Sequence, residues 1–128
     1  MSAAAHFSQT YAEARGRFLD ATRQLKLGLQ SYIHPLRGHD GEELAMDVAL
    51  LGPADAKGLL LITSACHGVE GFCGSGAQVA LLHNAQWVDE ARRSGCATAF
   101  FLKLPAQRTA ATRCWMPTGL MRIANIFW

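Results

Sequence analysis

A histidine and a glutamate lie three positions apart in Cys66-His67-Gly68-Val69-Glu70, shortly after the apolar run at residues 58–62. On a turn at the end of a buried strand, the imidazole nitrogen and the carboxylate could reach one point in space. Catalytic zinc usually takes three protein ligands, and one common set is two histidines and a glutamate. The spacing therefore predicts two of the three ligands of a zinc site, His67 and Glu70.

This spacing requires a turn. In an extended strand, residues i and i+3 point to opposite faces, so His67 and Glu70 could not share an ion there. Gly68 and Gly71 favour a tight turn because glycine tolerates positive φ angles. A bare His-x-x-Glu pattern is a weak signal, and a buried histidine hydrogen-bonded to a nearby glutamate is the simpler alternative. The context, an apolar strand before the turn and a helix after it, favours metal ligation.

The sequence before the turn predicts a helix and three strands. Apolar residues at steps of four and three indicate a helix over residues 8–27, capped by Ser8 or by residues 10–13 and ended by Gly28. Residues 29–34 and 43–51 flank a polar turn and are predicted to pair as antiparallel strands. Residues 59–64 are apolar on both faces, which is typical of a central strand between covering helices.

The sequence after the turn completes an α/β pattern. Residues 75–78 form a possible capping box for a helix that carries Ala77, Ala80 and Leu81 on one side and ends near Asn84. Residues 89–93 are predicted as a short helix and residues 97–102 as a strand. This order predicts an α/β fold with an incomplete mixed sheet, an antiparallel pair plus a parallel β-α-β unit, flanked by helices. The histidine turn falls past a strand's carboxyl end, where such sheets bind ligands.

Length and composition narrow the class of protein. The chain has 128 residues, half of them apolar, which suits one compact domain. The formal charge of +2, without a continuous basic stripe, argues against nucleic acid or a membrane surface as partner. The amino terminus lacks a signal-peptide pattern, and no apolar run approaches the roughly 20 residues that span a bilayer, so a cytoplasmic location is expected. The cysteines form no C-x-x-C pair, and free thiols are expected.

Residues from Tyr11 to Phe101 resemble the amino-terminal part of a bacterial branch of the zinc carboxypeptidase superfamily, a branch catalogued as a domain of unknown function. Residues 63–76, TSACHGVEGFCGSG, carry the resemblance. It implies a carboxypeptidase-like fold and one zinc ion, with His67 and Glu70 as the first two ligands. A later histidine would be the third ligand and a much later glutamate the general base. The superfamily includes succinylglutamate desuccinylases and aspartoacylases, so the implied substrate is a peptide or an N-acyl amino acid.

The amino-acid composition of the sequence changes at residue 102. The last acidic residue is Glu90, and residues 102–128 contain four basic residues but no acidic residue and no histidine. The resemblance implies an Asn-Arg pair and the third ligand beyond residue 101, and this segment has neither. We therefore divide the chain into residues 1–101, the amino-terminal part of a carboxypeptidase-like domain, and residues 102–128, an atypical tail from a disrupted reading frame. A native basic tail that packs on the sheet is the alternative, and translating the coding DNA in the other frames distinguishes the two.

The sequence thus predicts a fragment of a zinc-dependent hydrolase that cleaves a carboxy-terminal peptide bond or a similar amide. With an incomplete zinc site it would be impaired alone, and we assign no catalytic or substrate-binding residue. An N-acyl amino acid deacylase of the aspartoacylase type is the alternative within this chemistry. An anion-binding module is a different class, since Gly71, Gly74 and Gly76 precede a helix, but their spacing matches no phosphate-binding motif. A non-catalytic remnant with an exposed strand edge would self-associate.

The remaining histidines and the cysteines are weaker ligand candidates. His83 is expected in the helix after the motif and His39 in the hairpin turn, each as a partly exposed polar residue, and His6 and His34 have still less support. Cys66 and Cys73 flank the ligand pair, but small, buried packing positions are the usual place of free cysteines.

Overall fold

The computed structural model describes residues 3–38, 40–64 and 71–103. A short 3₁₀ helix at Ala3–His6 precedes three α-helices and four strands in the described part of the chain. In chain order, these are α1 (Tyr11–Gln24), β1 (Gly28–Arg37), β2 (Glu43–Leu51), β3 (Gly58–Ser64), α2 (Gly71–Leu82), α3 (Ala85–Arg93) and β4 (Cys96–Lys103).

The described strands form one mixed sheet in the order β1-β2-β4-β3. β2 pairs antiparallel with β1 on one side and with β4 on the other, whereas β3 and β4 run parallel. Helices α2 and α3 connect β3 to β4, which makes the parallel β-α-β unit. The predicted α/β fold, an antiparallel pair joined to this unit, is therefore confirmed.

Among the described residues, no helix has both the length and the apolar character needed to cross a membrane.

β3 lies at the edge of the described sheet and not in its centre, so that part of the prediction is wrong. In β3, the exposed fractions of Leu59, Leu60 and Leu61 are 46%, 50% and 54%. Because successive side chains of a strand point to opposite faces, both faces of β3 are partly exposed. A continuous apolar run is typical of a strand that is covered on both faces. The run correctly indicated a strand, but the neighbours of that strand are a property of the tertiary structure.

The exposed β3 edge predicts self-association, because an apolar edge strand is a template for pairing with another chain. We expect Leu60→Lys to weaken self-association by about tenfold or more, equal to about 1.4 kcal/mol, since a charge disfavours strand addition. Sedimentation velocity over a concentration series measures this. Leu36→Lys is the matched control, because Leu36 of β1 is also 54% exposed but follows Pro35, which lacks a backbone donor. Equal effects of the two substitutions would contradict a specific role for β3.

Helix α1 begins at Tyr11, three residues after the predicted start. Thr10 Oγ1 accepts a hydrogen bond from the Glu13 amide at 3.2 Å, and Glu13 Oε2 accepts one from the Gln9 amide at 3.1 Å. The second of the two predicted caps is therefore correct and the Ser8 cap is wrong. Hydrogen bonds that satisfy free amides of the first turn define where this helix starts.

Helix α1 ends at Gln24, before the predicted stop at Gly28. Lys26 adopts a left-handed conformation with φ 55°. The Lys26 amide donates to the Arg23 carbonyl and the Leu27 amide donates to the Thr22 carbonyl, both at 3.0 Å. This pair of hydrogen bonds is a Schellman motif, in which glycine is the usual left-handed residue. A lysine holds that position here, which no pattern in the sequence indicates.

We expect Lys26→Gly to stabilise the protein by about 1 kcal/mol, because a left-handed conformation costs a residue with a side chain about 1–2 kcal/mol. Urea denaturation followed by circular dichroism measures the change. Gln24→Gly is the control, since Gln24 lies within the helix and glycine there should cost about 1 kcal/mol. A destabilising Lys26→Gly substitution would show that the lysine side chain contributes more than its backbone strain costs.

The core lies between the sheet and the helices. Phe18 of α1 and Phe100 of β4 are fully buried, and Trp87 of α3 meets the Phe100 ring edge-on with the centroids 5.8 Å apart. Helix α3 begins four residues before the predicted short helix, because Asn84 Oδ1 caps it by accepting a hydrogen bond from the Trp87 amide at 3.1 Å. All three elements that follow the histidine turn are thus anchored in one hydrophobic core.

A buried ion pair ties α1 to the β-hairpin. Asp47 of β2 is 1% exposed, and the Arg15 guanidinium donates to both of its carboxylate oxygens, from Nε at 2.8 Å and from Nη2 at 3.2 Å. Ser31 Oγ of β1 donates to the same carboxylate. Burial would lower the pKa of Arg15, but hydrogen bonds to Asp47 and Glu43 and the charge of Asp47 raise it above its usual value. The guanidinium of Arg15 therefore stays charged in this contact.

Candidate active site

The predicted ligand turn connects a strand directly to a helix. β3 ends at Ser64 and α2 begins at Gly71, so residues 65–70 span the carboxyl end of β3 and the amino end of α2. His67 and Glu70 belong to this segment and lie outside the described residues. In the parallel pair, Ser64 is aligned with Leu102 of β4, so the turn starts beside the carboxyl end of the neighbouring strand. This is the edge at which α/β sheets bind ligands.

Gly74 allows α2 to approach the end of β3 closely. A Cβ atom placed on Gly74 would lie 2.6 Å from the Ser64 Cβ and 3.6 Å from the Ser64 Cα. Such a contact is far inside van der Waals distance, so only glycine fits here without movement of the strand or the helix. Gly74 thus brings the first turns of α2 against the end of β3.

Gln78 binds α2 to both parallel strands. Its side chain is buried, and its Nε2 donates to Ser64 Oγ at 2.9 Å and to the Phe101 carbonyl at 3.0 Å, with the Ile62 carbonyl at 3.4 Å. Since carbonyl oxygens only accept hydrogen bonds, the amide nitrogen must face the strands. Its Oε1 is buried and has no hydrogen-bond partner in the described part of the chain. A buried polar atom without a partner is uncommon in folded proteins.

No pattern in the sequence predicted this role of Gln78. Residues 75–78 were predicted to cap α2, but the helix already starts at Gly71, and Ser75 and Gln78 are buried within it. Of the three residues predicted on one side of this helix, Ala77 is exposed, Ala80 is half-buried and Leu81 packs against the core. A single glutamine in an otherwise small and apolar helix was the available signal, because a buried amide needs partners that only neighbouring elements provide.

The cysteines near the turn follow only part of the prediction. Cys73 lies in the first turn of α2 as a free and exposed thiol, so the expectation that it packs in a buried position is wrong. The thiol of Cys96 in β4 is also free, as expected. Cys66 lies outside the described residues. Cys73 is exposed because it lies on a face of α2 that is not buried.

The described histidines are not placed to complete the predicted zinc site. His83 follows the carboxyl end of α2, a helix of 12 residues and therefore about 18 Å long, whereas the turn lies at its amino end. His6 neighbours His83, and His34 lies in β1 at the other edge of the sheet. His39 lies outside the described residues. Within residues 3–38, 40–64 and 71–103, no three His, Cys, Asp or Glu side chains are grouped to hold a metal ion.

Solved structures share this arrangement of sheet and helices. The glutaminyl cyclase of Macrostomum lignano aligns with a TM-score of 0.54 and 13% identity over 83% of this chain and 36% of that protein. A glutaminyl cyclase of Porphyromonas gingivalis aligns with a TM-score of 0.52 and 14% identity over 84% of this chain and 43% of that protein. At such identities the likeness shows a common α/β fold. The chain spans less than half the length of either structure.

Sequence comparison defines the family. Residues 7–101 match the family described as "Protein of unknown function (DUF2817)", and the chain belongs to this family. A comparison with curated proteins found no match. The predicted membership of a family described as one of unknown function is thereby confirmed. The relation to succinylglutamate desuccinylases and aspartoacylases stays a prediction.

Proposed function

We propose that this chain carries part of the zinc site of a hydrolase that cleaves a carboxy-terminal peptide bond or a similar amide, with His67 and Glu70 as two zinc ligands. The observation that supports this most is the position of residues 65–70 between Ser64 and Gly71, at the carboxyl edge of the parallel strands. A turn there can present a histidine and a glutamate to one ion, which an extended segment cannot do.

The described residues fit a rigid support for such a turn. Gly74 lets α2 rest on Ser64, and the Gln78 amide fixes the same helix to β3 and β4. Ligand groups must be held accurately, and supporting contacts of this kind serve that purpose. Among the described residues, the Oε1 of Gln78 has no hydrogen-bond partner, and it is a buried acceptor in the helix that follows the turn. These features support a polar site at the turn, whichever ion that site binds.

Residues 102–128 do not supply the remaining parts of the proposed zinc site. Zinc in a hydrolase polarises the scissile carbonyl and activates the attacking water. His67 and Glu70 would hold the ion, while the resemblance implies that the third ligand and the general base come from later sequence. Residues 102–128 contain no histidine and no acidic residue that could serve. We therefore propose that the isolated chain is inactive or impaired.

Zinc affinity tests the proposal. Two protein ligands should bind zinc weakly, so that dialysis removes it, and His67→Ala or Glu70→Ala should each weaken binding by at least about tenfold. Competition with a chromophoric chelator measures this in a His83→Ala background, which removes the histidine at the far end of α2. His34→Ala is the control and should leave the affinity unchanged. Unaltered zinc affinity in His67→Ala would overturn the assignment.

The outcome of dialysis also discriminates the alternatives. Stoichiometric zinc that survives dialysis, and is lost in His67→Ala, would show that another residue or subunit completes the site. Tight nucleotide binding that a chelator does not affect would favour the anion-binding module. Whether the complete site acts on peptides or on N-acyl amino acids is tested by supplying both substrate classes to a longer member of the family.

A further inference from the structure

A second pair of potential metal ligands lies at the opposite end of α2. His6 ends the 3₁₀ helix and His83 directly follows α2, and their ring centroids are 5.4 Å apart with the ring planes inclined by 31°. The two imidazoles line a cavity of about 170 Å³ together with Arg17, Asp20 and Gln24 of α1. The length of α2 separates this cavity from the turn that carries His67, so the two sites are distinct.

The His83 ring is held with one nitrogen available. Its Nδ1 lies 2.9 Å from the Val79 carbonyl oxygen in the last turn of α2. Because a carbonyl oxygen only accepts, the hydrogen of the neutral ring resides on Nδ1 and the lone pair on Nε2. Histidines that bind metal ions commonly make such a hydrogen bond through the other nitrogen, often to a backbone carbonyl. His83 is therefore already in the tautomer that ligation through Nε2 requires.

The separation of the rings suits one shared ion. With a metal–nitrogen bond of about 2.1 Å and a ring nitrogen about 1.1 Å from its centroid, each centroid lies about 3.2 Å from the ion. Two rings at the tetrahedral angle would then have centroids about 5.2 Å apart. The observed separation of 5.4 Å is close to this value.

The charged side chains around this cavity and its exposure to solvent both permit a cation to bind. His83 is exposed and His6 half-buried, so an ion can reach both rings. The positive charge of Arg17 is paired with Glu13, and its guanidinium also donates to the Ala5 carbonyl. The carboxylate of Asp20 lines the cavity and pairs with Arg23 outside it. Arg17 and Asp20 are thus each paired with an opposite charge, and the lone pair on Nε2 of His83 remains to bind a cation.

We propose that His6 and His83 bind one divalent transition-metal ion, of the class of Zn²⁺ or Ni²⁺, and so fasten the 3₁₀ helix to the end of α2. Imidazole nitrogen is a ligand that these ions favour. The described residues provide two ligands, and water fills the other coordination positions. The proposal does not depend on the function proposed for His67 and Glu70.

The test uses the full chain with His67→Ala and Glu70→Ala, so that metal binding reports on the second site alone. Isothermal titration with Ni²⁺ at neutral pH should show one ion per chain, and adding His6→Ala or His83→Ala should weaken binding by at least about tenfold. His34→Ala is the matched control and should have no effect.

A second measurement avoids dependence on further substitutions. Substoichiometric Cu²⁺ should broaden the ring proton resonances of His6 and His83 in NMR spectra, while those of His34 remain sharp. Absent Ni²⁺ binding, or binding that neither His6→Ala nor His83→Ala weakens, would overturn the proposal. So would inorganic phosphate binding in place of the metal, because the cavity would then be an anion site.

Discussion

Replacing Arg15 by alanine should lower the free energy of unfolding by about 3–5 kcal/mol, the typical cost of removing one partner of a buried ion pair. Asp47 is 1% exposed and receives two hydrogen bonds from this guanidinium. Without Arg15, only Ser31 donates to the carboxylate among the described side chains. The uncompensated charge would then remain buried in β2 or draw water into the contact between α1 and the hairpin.

Urea denaturation measures this effect, and two variants make it specific. Arg17→Ala removes an ion pair with Glu13 from the same helix, but both partners are more than a third exposed, so the expected loss is below about 1 kcal/mol. The double variant Arg15→Met with Asp47→Leu should recover most of the stability, because it removes both charges together. A loss from Arg15→Ala no greater than that from Arg17→Ala would contradict the importance of the pair.

Gly74→Ala should have the second large effect, a loss of about 1–3 kcal/mol as a consequence of overpacking. The added Cβ would lie 2.6 Å from the Ser64 Cβ, an atom that belongs to the strand and cannot swing aside like the end of a long side chain. The helix must move away from the end of β3, which also disturbs residues 65–70. If His67 and Glu70 are zinc ligands, the same substitution should weaken zinc binding.

Two controls separate the steric effect from a general effect of alanine. Gly16 of α1 has no atom within 4 Å of a built Cβ, so Gly16→Ala should stabilise the protein by about 0.5–1 kcal/mol. Adding Ser64→Gly to Gly74→Ala should restore part of the stability, because it removes the atom with which the new methyl group collides but also the hydroxyl that accepts from Gln78. A Gly74→Ala variant as stable and as zinc-competent as the unsubstituted chain would show that close approach of α2 is dispensable.

The predicted elements that rest on local patterns are largely correct. Alternating steps of four and three identified α1, and the Thr10 cap depends on a hydrogen bond to a residue only three positions away. The polar turn between two apolar segments identified the hairpin, which has the predicted antiparallel pairing. Periodicity and caps are properties of neighbouring residues, so the sequence contains them directly.

Apart from helix boundaries, the errors concern contacts between distant segments. The apolar run of β3 indicated a covered strand, but the described sheet leaves it at an edge. In α2, Ala77 is exposed whereas Ser75 and Gln78 are buried, because the neighbouring elements decide which face of the helix packs. Asp47 alternates with apolar residues and could have faced solvent, yet Arg15, 32 positions away, holds it inside.

The sequence by itself determined the order of the elements, the α/β class and the placement of the His67 and Glu70 turn between a strand and a helix. These follow from side-chain periodicity and turn residues, which act over a few positions. Only the tertiary structure decided that Gly74 and Gln78 join α2 to the strand ends and that His6 meets His83. Such contacts depend on which distant segments the fold brings within a few ångströms, and short-range patterns in the chain do not encode that directly.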